Sequence, residues 1–185
     1  QMQGTQKNDL IIRIGGGGGE GVISVGDFIT QACARAGLDV YTFKTFPAEI
    51  KGGYAMYQVR AGIEQLSNPG SAFDVFCAFN GEAFDINQAL LKPGTAVVYD
   101  CSGDFEPNIP PGVHAYPIPM TQIVKEMKNP LAKNMLALGA LSQLFNIPEV
   151  ALREVITNKY LLKGDPVVQG NLAAFERGRE LAAKF

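Results

Sequence analysis

The alternation of apolar and polar positions divides the chain into two parts. Residues 9–15, DLIIRIG, form a short apolar run closed by glycine, the pattern of a buried strand. Residues 22–36 follow, with Val22, Val25, Ile29, Ala32 and Ala36 on one helical face and Asp27, Gln31 and Arg35 off it. Gly37 stands where a left-handed helix cap belongs. LDVYTF (38–43) reads as a second strand, so strand, glycine turn, helix and strand open a parallel α/β sheet. YAMYQVRA (54–61) predicts a strand, SNPGS (67–71) a turn, and DVFCAF (74–79) and TAVVYD (95–100) strands covered on both faces. A short helix at 82–91 ends at Pro93-Gly94, and VHAYPIP (113–119) is a further strand. The remainder is helical. Thr121 suits the N-cap of QIVKEMK. Residues 130–145 start with proline and are apolar nearly all round, as a buried helix would be, whereas 148–162 and 171–185 are amphipathic. The expected fold is a three-layer α/β/α sandwich with a mostly parallel sheet, a Rossmann-like beginning and a helical C-terminal third. A polar tail at 1–9 precedes one domain at 10–185.

Composition narrows the chemistry. Of 185 residues, 46% are hydrophobic and 18% charged, which suits a substantial core. The formal charge of −2 offers no general attraction for nucleic acid. No apolar run approaches the ~20 residues of a membrane span, no signal-peptide pattern is visible, and a cytoplasmic setting is expected. Cys33, Cys77 and Cys101 are isolated thiols without a CxxC spacing, so no disulfide framework, zinc site or iron–sulfur site is expected. His114 is the single histidine, which argues against a histidine-based nucleophile machine or metal centre within this chain.

RIGGGGGEG (13–21) is the strongest local signal. Gly16, Gly18 and Gly21 satisfy G-x-G-x-x-G between a strand and a helix, a context in which backbone N–H groups converge on an anion. A tight turn that needs glycine only for packing fits the same letters, and both readings stand at this point. A Walker A loop requires Lys-Ser/Thr after its last glycine, where this chain has Val22-Ile23. A nicotinamide site requires an acid after the second strand, where TFKTF offers Lys44 instead. Lys44 would help to hold a phosphate or carboxylate, whereas Glu20 inside the turn opposes one.

A second cluster, FPAEIKGGYAMYQVR, carries Glu49 and Lys51 two positions apart, followed by Gly52 and Gly53. In an extended segment the two charged side chains share a side. The cluster follows the second strand, so it is expected on the same rim as the glycine turn. Asn134 is a poor helix former within the apolar KNMLALGAL and suits a side chain bonded to nearby backbone. Gly139 suits close helix–sheet packing. Cys33 and Cys77 read as buried and inert, with Cys101 less defined at a strand's end.

In this order and spacing, IGGGGGEGVISVGDFITQACARAG, TFKTFPAEIKGGYAMYQVR, KNMLALGAL and NLAAFERG resemble the γ subunit or γ domain of 2-oxoacid:ferredoxin oxidoreductases, over about residues 10–182. The glycine turn followed by Glu-x-Lys-Gly-Gly is the specific part, and TFKTFPAEIKGG looks most like the 2-oxoglutarate branch. Many members carry Gln near the second glycine and Arg at the position of Lys51. A separate subunit and a domain of a fused chain both remain open.

The resemblance implies an enzyme that decarboxylates a 2-oxoacid on thiamine diphosphate, passes electrons through iron–sulfur clusters to ferredoxin and transfers the acyl group to coenzyme A. Thiamine diphosphate and Mg2+ would belong to α and β partners, the clusters to β or δ partners, and no catalytic residue or metal ligand to this chain. By the same resemblance, Gly16, Gly17, Gly18, Gly19, Glu20, Gly21 and Lys44 form a candidate coenzyme A rim. Glu49, Lys51, Gly52, Gly53 and Asn134 would lie at a subunit junction near the active site. A free-standing nucleotide-binding regulatory module is the alternative, and neither nucleic acid nor membrane is expected as a partner.

Overall fold

A computed structural model describes residues 9–46, 53–64 and 72–185. Six strands form one sheet: β1 (Asp9–Gly17), β2 (Asp39–Thr45), β3 (Tyr54–Gly62), β4 (Val75–Ala78), β5 (Ala96–Asp100) and β6 (His114–Ile118). Their spatial order is β2-β3-β1-β4-β5-β6. β1, β4, β5 and β6 run parallel, while β3 pairs antiparallel with both β1 and β2. The Rossmann-like start therefore holds for β1, its turn and the helix that follows, but β2 does not lie beside β1. Burial explains the exchange. β3 is buried at five consecutive positions, Ala55 to Val59, and takes an interior place. β2 exposes Asp39, Tyr41 and Phe43 and suits an edge.

The helices are α1 (Val22–Arg35), α2 (Gly81–Asn87), α3 (Met120–Glu126), α4 (Lys133–Phe145), α5 (Glu149–Tyr160) and α6 (Asp165–Ala182). The two outer layers are unequal. Ile12, Ile14, Val75, Cys77 and Val98 face a large core filled from α1, α3, α4, α5 and α6. The alternate residues Ile11, Phe76, Ala78 and Val97 face a smaller core under α2, with Phe84, Tyr99 and Phe105 packed there. Alternation along each strand thus feeds both layers, as the continuously apolar runs required.

α4 is buried at nine consecutive positions, Asn134 to Ser142. It can be so only because α6 approaches it backbone to backbone. A Cβ on Gly139 would lie 1.9 Å from the Phe175 carbonyl oxygen, and one on Gly178 1.9 Å from that of Leu136. Gly139 therefore serves helix–helix contact with α6 rather than helix–sheet packing. At the far ends of the helices, Arg179 Nη1 donates to Ser142 Oγ at 2.9 Å, and Arg179 pairs with Glu149 at 3.0 Å.

Gly139→Ala and Gly178→Ala force the two backbones apart. Each is expected to lose at least about 2 kcal/mol of stability by overpacking, read as the shift of the denaturant midpoint. A loss below half of that in both variants would show that the crossing is looser than described.

Candidate functional site

The carboxyl ends of β1, β4 and β5 meet at one edge of the sheet. The chain leaves β1 for α1 on the large-core side and leaves β4 for α2 on the other, so a crevice opens between the two turns. In open α/β sheets such a crevice is the usual ligand seat. Here Glu20 occupies it. Its Oε1 accepts the Gly17 N–H at 2.7 Å and the Asn80 Nδ2 hydrogen at 2.5 Å, while Oε2 meets Lys133 Nζ at 2.9 Å. Asn80 also caps α2, its Oδ1 accepting the Ala83 N–H at 2.8 Å. The glycine turn therefore encloses an anion, and the anion is its own.

Gly21 shows why no side chain fits on the helix side of the turn. Its φ of +82° lies in the left-handed region, and a Cβ there would be 2.5 Å from Asn134 Nδ2. A 3-10 turn at Pro130–Ala132 precedes α4, so Asn134 lies in the first turn of the helix, not in its interior. Its Oδ1 accepts the Met135 N–H at 3.0 Å. On the sheet side, the Gly18 N–H donates to the Gly53 carbonyl at 3.1 Å. The last glycine of the second cluster thus touches the first. Gly18 and Gly19 form the exposed crown of the turn.

Lys133 uses all three of its ammonium hydrogens. Besides Glu20 it reaches Asp100 Oδ2 at 2.9 Å and the Phe79 carbonyl at 2.6 Å, with its side chain only 14% exposed. Asp100 is itself buried at the end of β5. Its Oδ2 accepts the Thr121 hydroxyl at 2.5 Å, and its Oδ1 the Ser102 N–H at 3.0 Å. Ser102 Oγ accepts the Gln122 N–H at 3.1 Å. Thr121 is therefore not the N-cap of α3. Pro119 holds that position without a side-chain bond, and the first N–H groups of the helix are satisfied from the end of β5.

Burial pushes the Asp100 carboxyl up, but the hydrogen bonds from Thr121, Lys133 and Ser102 outweigh it and hold the group below its ordinary value. For Lys133, burial pulls down, while the bonds to Asp100 and Glu20 and their charges raise it above an ordinary lysine. Both groups are charged at neutral pH, so the cluster is two carboxylates around one ammonium.

Residues 11–181 match the model of the pyruvate ferredoxin/flavodoxin oxidoreductase family. The chain belongs to that family. The 2-oxoglutarate synthase subunit KorC of Archaeoglobus fulgidus is 30% identical over 94% of this chain and 90% of its own length. KorC of Methanocaldococcus jannaschii is 30% identical over 94% of both chains. A solved 2-oxoglutarate:ferredoxin oxidoreductase from Magnetococcus marinus, with 2-oxoglutarate, coenzyme A and succinyl-CoA bound, is 64% identical with a TM-score of 0.95. It is matched over 97% of this chain, which spans only 32% of the Magnetococcus chain. The γ subunit of a keto/oxoacid ferredoxin oxidoreductase from Geobacter sulfurreducens shares the fold, with a TM-score of 0.79 at 23% identity over 95% of this chain and 99% of that one.

Within this oxidoreductase module, Gly16 to Gly21, Gly53 and Asn134 converge on one rim. Lys44 does not join them. It lies on edge strand β2 with Asp27 at 3.9 Å and the rings of Tyr57 and Phe46 beneath its ammonium. Glu49, Lys51, Gly52 and the 67–71 turn lie outside the described residues. Lys133, Asp100 and Asn80 were missed by sequence reasoning. The available signals were a lysine opening an otherwise apolar helix, an acid closing a strand and Asn-Gly opening a helix. Burial pushes the Cys33 thiol up to about 11 and that of Cys77 up to about 12. His114 is exposed at the start of β6. Among the described residues no group of three His, Cys, Asp or Glu side chains is placed to hold a metal ion, and no helix is long and apolar enough to cross a membrane.

Two outcomes follow from the enclosed carboxylate. Asp100 has a depressed folded pKa, so its stabilisation is present above the ordinary carboxylate value and is lost as pH falls through the folded one. Asp100→Asn should flatten the fall of the melting temperature as pH drops below the ordinary carboxylate value, and an unchanged slope would contradict the assignment. Glu20→Ala frees Gly17 N–H, Asn80 and Lys133 together, so millimolar inorganic phosphate should raise the melting temperature of that variant more than that of the wild type.

Proposed function

We propose that this chain is the γ-type component of a thiamine diphosphate-dependent 2-oxoglutarate:ferredoxin oxidoreductase. That enzyme converts 2-oxoglutarate and coenzyme A to succinyl-CoA and carbon dioxide with reduction of ferredoxin. The observation that carries this reading is the 64% identity, at a TM-score of 0.95, with a 2-oxoglutarate:ferredoxin oxidoreductase that has coenzyme A and succinyl-CoA bound. The KorC relatives favour the same oxoacid.

The residues present do not fit the redox cofactors. Two of the three thiols are buried apart, and the described carboxylates at the sheet edge are committed to Lys133 and Thr121. Thiamine diphosphate, Mg2+ and the clusters are therefore assigned to α and β partners, and to δ where that is separate, with ferredoxin as electron acceptor. Coenzyme A fits this chain in one way. The inner crevice is filled by Glu20, so the outer crown of Gly18 and Gly19 is the surface offered to the cofactor. Bare backbone there admits a close approach by the pantetheine or diphosphate portion. At the carboxyl end of β2, Phe43 and Phe46 are exposed, which suits packing against a catalytic subunit. Glu49, Lys51 and Gly52 fall at the same junction in this proposal.

The test is reconstitution. Produced with its partner subunits, the chain should support coenzyme A-dependent reduction of ferredoxin or viologen by 2-oxoglutarate in preference to pyruvate. Full activity of the partners in its absence would sink the proposal. Tight nucleotide binding by a chain that joins no such complex would favour the regulatory-module reading instead.

A further inference from the structure

We propose that Lys133 is a positioning residue for this oxidoreductase, fixing the height of the β1–α1 turn above the sheet edge. The inference rests on the function proposed above, because it takes the crown of that turn to meet coenzyme A.

Three observations carry it. The crown itself has little support: Gly18 and Gly19 are exposed, a Cβ on Gly19 would meet nothing within 4 Å, and the Gly18 N–H is bonded across to Gly53. The base of the turn is held instead through Glu20, which bonds the Gly17 N–H and so closes the turn on itself. Glu20 in turn is tied to the rest of the fold by Asn80 and Lys133. Lys133 connects it both to the segment after β4, by the Phe79 carbonyl beside Asn80, and to the end of β5, by Asp100. It also opens α4, whose next residue, Asn134, lies against Gly21 at the other foot of the turn. One ammonium thus sets the turn against β4, β5 and α4.

A purely stabilising role explains this poorly. Desolvating Asp100, Lys133 and, in part, Glu20 offsets much of their mutual attraction, and apolar side chains of equal volume often stabilise as well. What the ionic arrangement supplies, and an apolar one would not, is direction. Each bond fixes a donor and an acceptor to a few tenths of an ångström. Small displacements of groups that hold a substrate change its binding steeply.

The test uses the complete enzyme with Lys133→Met, Lys133→Arg and Glu20→Gln in this chain, and Arg153→Met as a control. Arg153 bridges Glu149 and Glu176 on α5 and α6, away from the turn, so its replacement tests lost ion pairing without touching the site. In assembled Lys133→Met enzyme the KM for coenzyme A should rise roughly ten- to a hundredfold. The KM for 2-oxoglutarate and kcat at saturating coenzyme A should change little. Lys133→Arg should recover most of the loss, and Glu20→Gln should move the KM in the same direction by less. Amide hydrogen exchange of residues 16–21 should quicken in Lys133→Met, with or without coenzyme A. Arg153→Met should lower the melting temperature and leave the coenzyme A KM alone. If Lys133→Met does not assemble, Glu20→Gln carries the same readouts. Assembled Lys133→Met or Glu20→Gln enzyme with wild-type coenzyme A KM and wild-type exchange overturns the inference, while the need for the chain in turnover still supports its proposed function. Coenzyme A-dependent turnover without the chain overturns both.

Discussion

The carboxyl-terminal edge of the sheet is held by one ammonium group shared among three acceptors. Lys133 sits where β1, β4 and β5 end, and two carboxylates and a carbonyl turn toward it. Take the lysine away and two partly buried negative charges face one another. Take either acid away and the balance shifts toward an ammonium with too few partners. An arrangement of this kind contributes modestly to overall stability and strongly to which geometry is adopted. It also links elements far apart in the chain, since Glu20 and Lys133 are separated by 113 residues.

The rest of the fold brings that lysine into place. Gly139 and Gly178 let α4 and α6 touch through their backbones, so α4 is sealed on every side and its N-terminus is carried as part of a rigid layer. The short 3-10 turn at Pro130–Ala132 then starts α4 so that Lys133 and Asn134 lead it. β5 ends on Asp100, which both caps α3 and meets the ammonium. Backbone contact in one place and ionic contact in another are thus parts of one construction.

Much of this was written locally and could be read locally. Continuous apolar runs marked β4 and β5 as covered on both faces, and the all-round apolar stretch marked α4 as buried. The strand, glycine turn and helix at residues 9–35 were legible from the glycines and the change of period. The neighbour of β1 was not, because strand order depends on comparing burial between β2 and β3, which local pattern does not rank. The partners of Glu20 were hidden for a similar reason. Its charge was visible and its consequence for phosphate was drawn from Coulomb's law, but the lysine that neutralises it lies on the far side of the sheet in sequence. Thr121 misled because a good capping residue two positions past the cap looks the same in sequence as one at the cap.

The enclosed carboxylate has a bearing on life in a crowded solution. A glycine turn with an open anion seat is a general receptor, and a cell is full of phosphates that would compete for it. This turn arrives already satisfied. A free nucleotide would have to displace a tethered carboxylate already bonded to Gly17, Asn80 and Lys133. What is left exposed is the bare outer backbone of Gly18 and Gly19. The same local fold that elsewhere leaves an anion seat open here closes its inner seat with a side chain of its own.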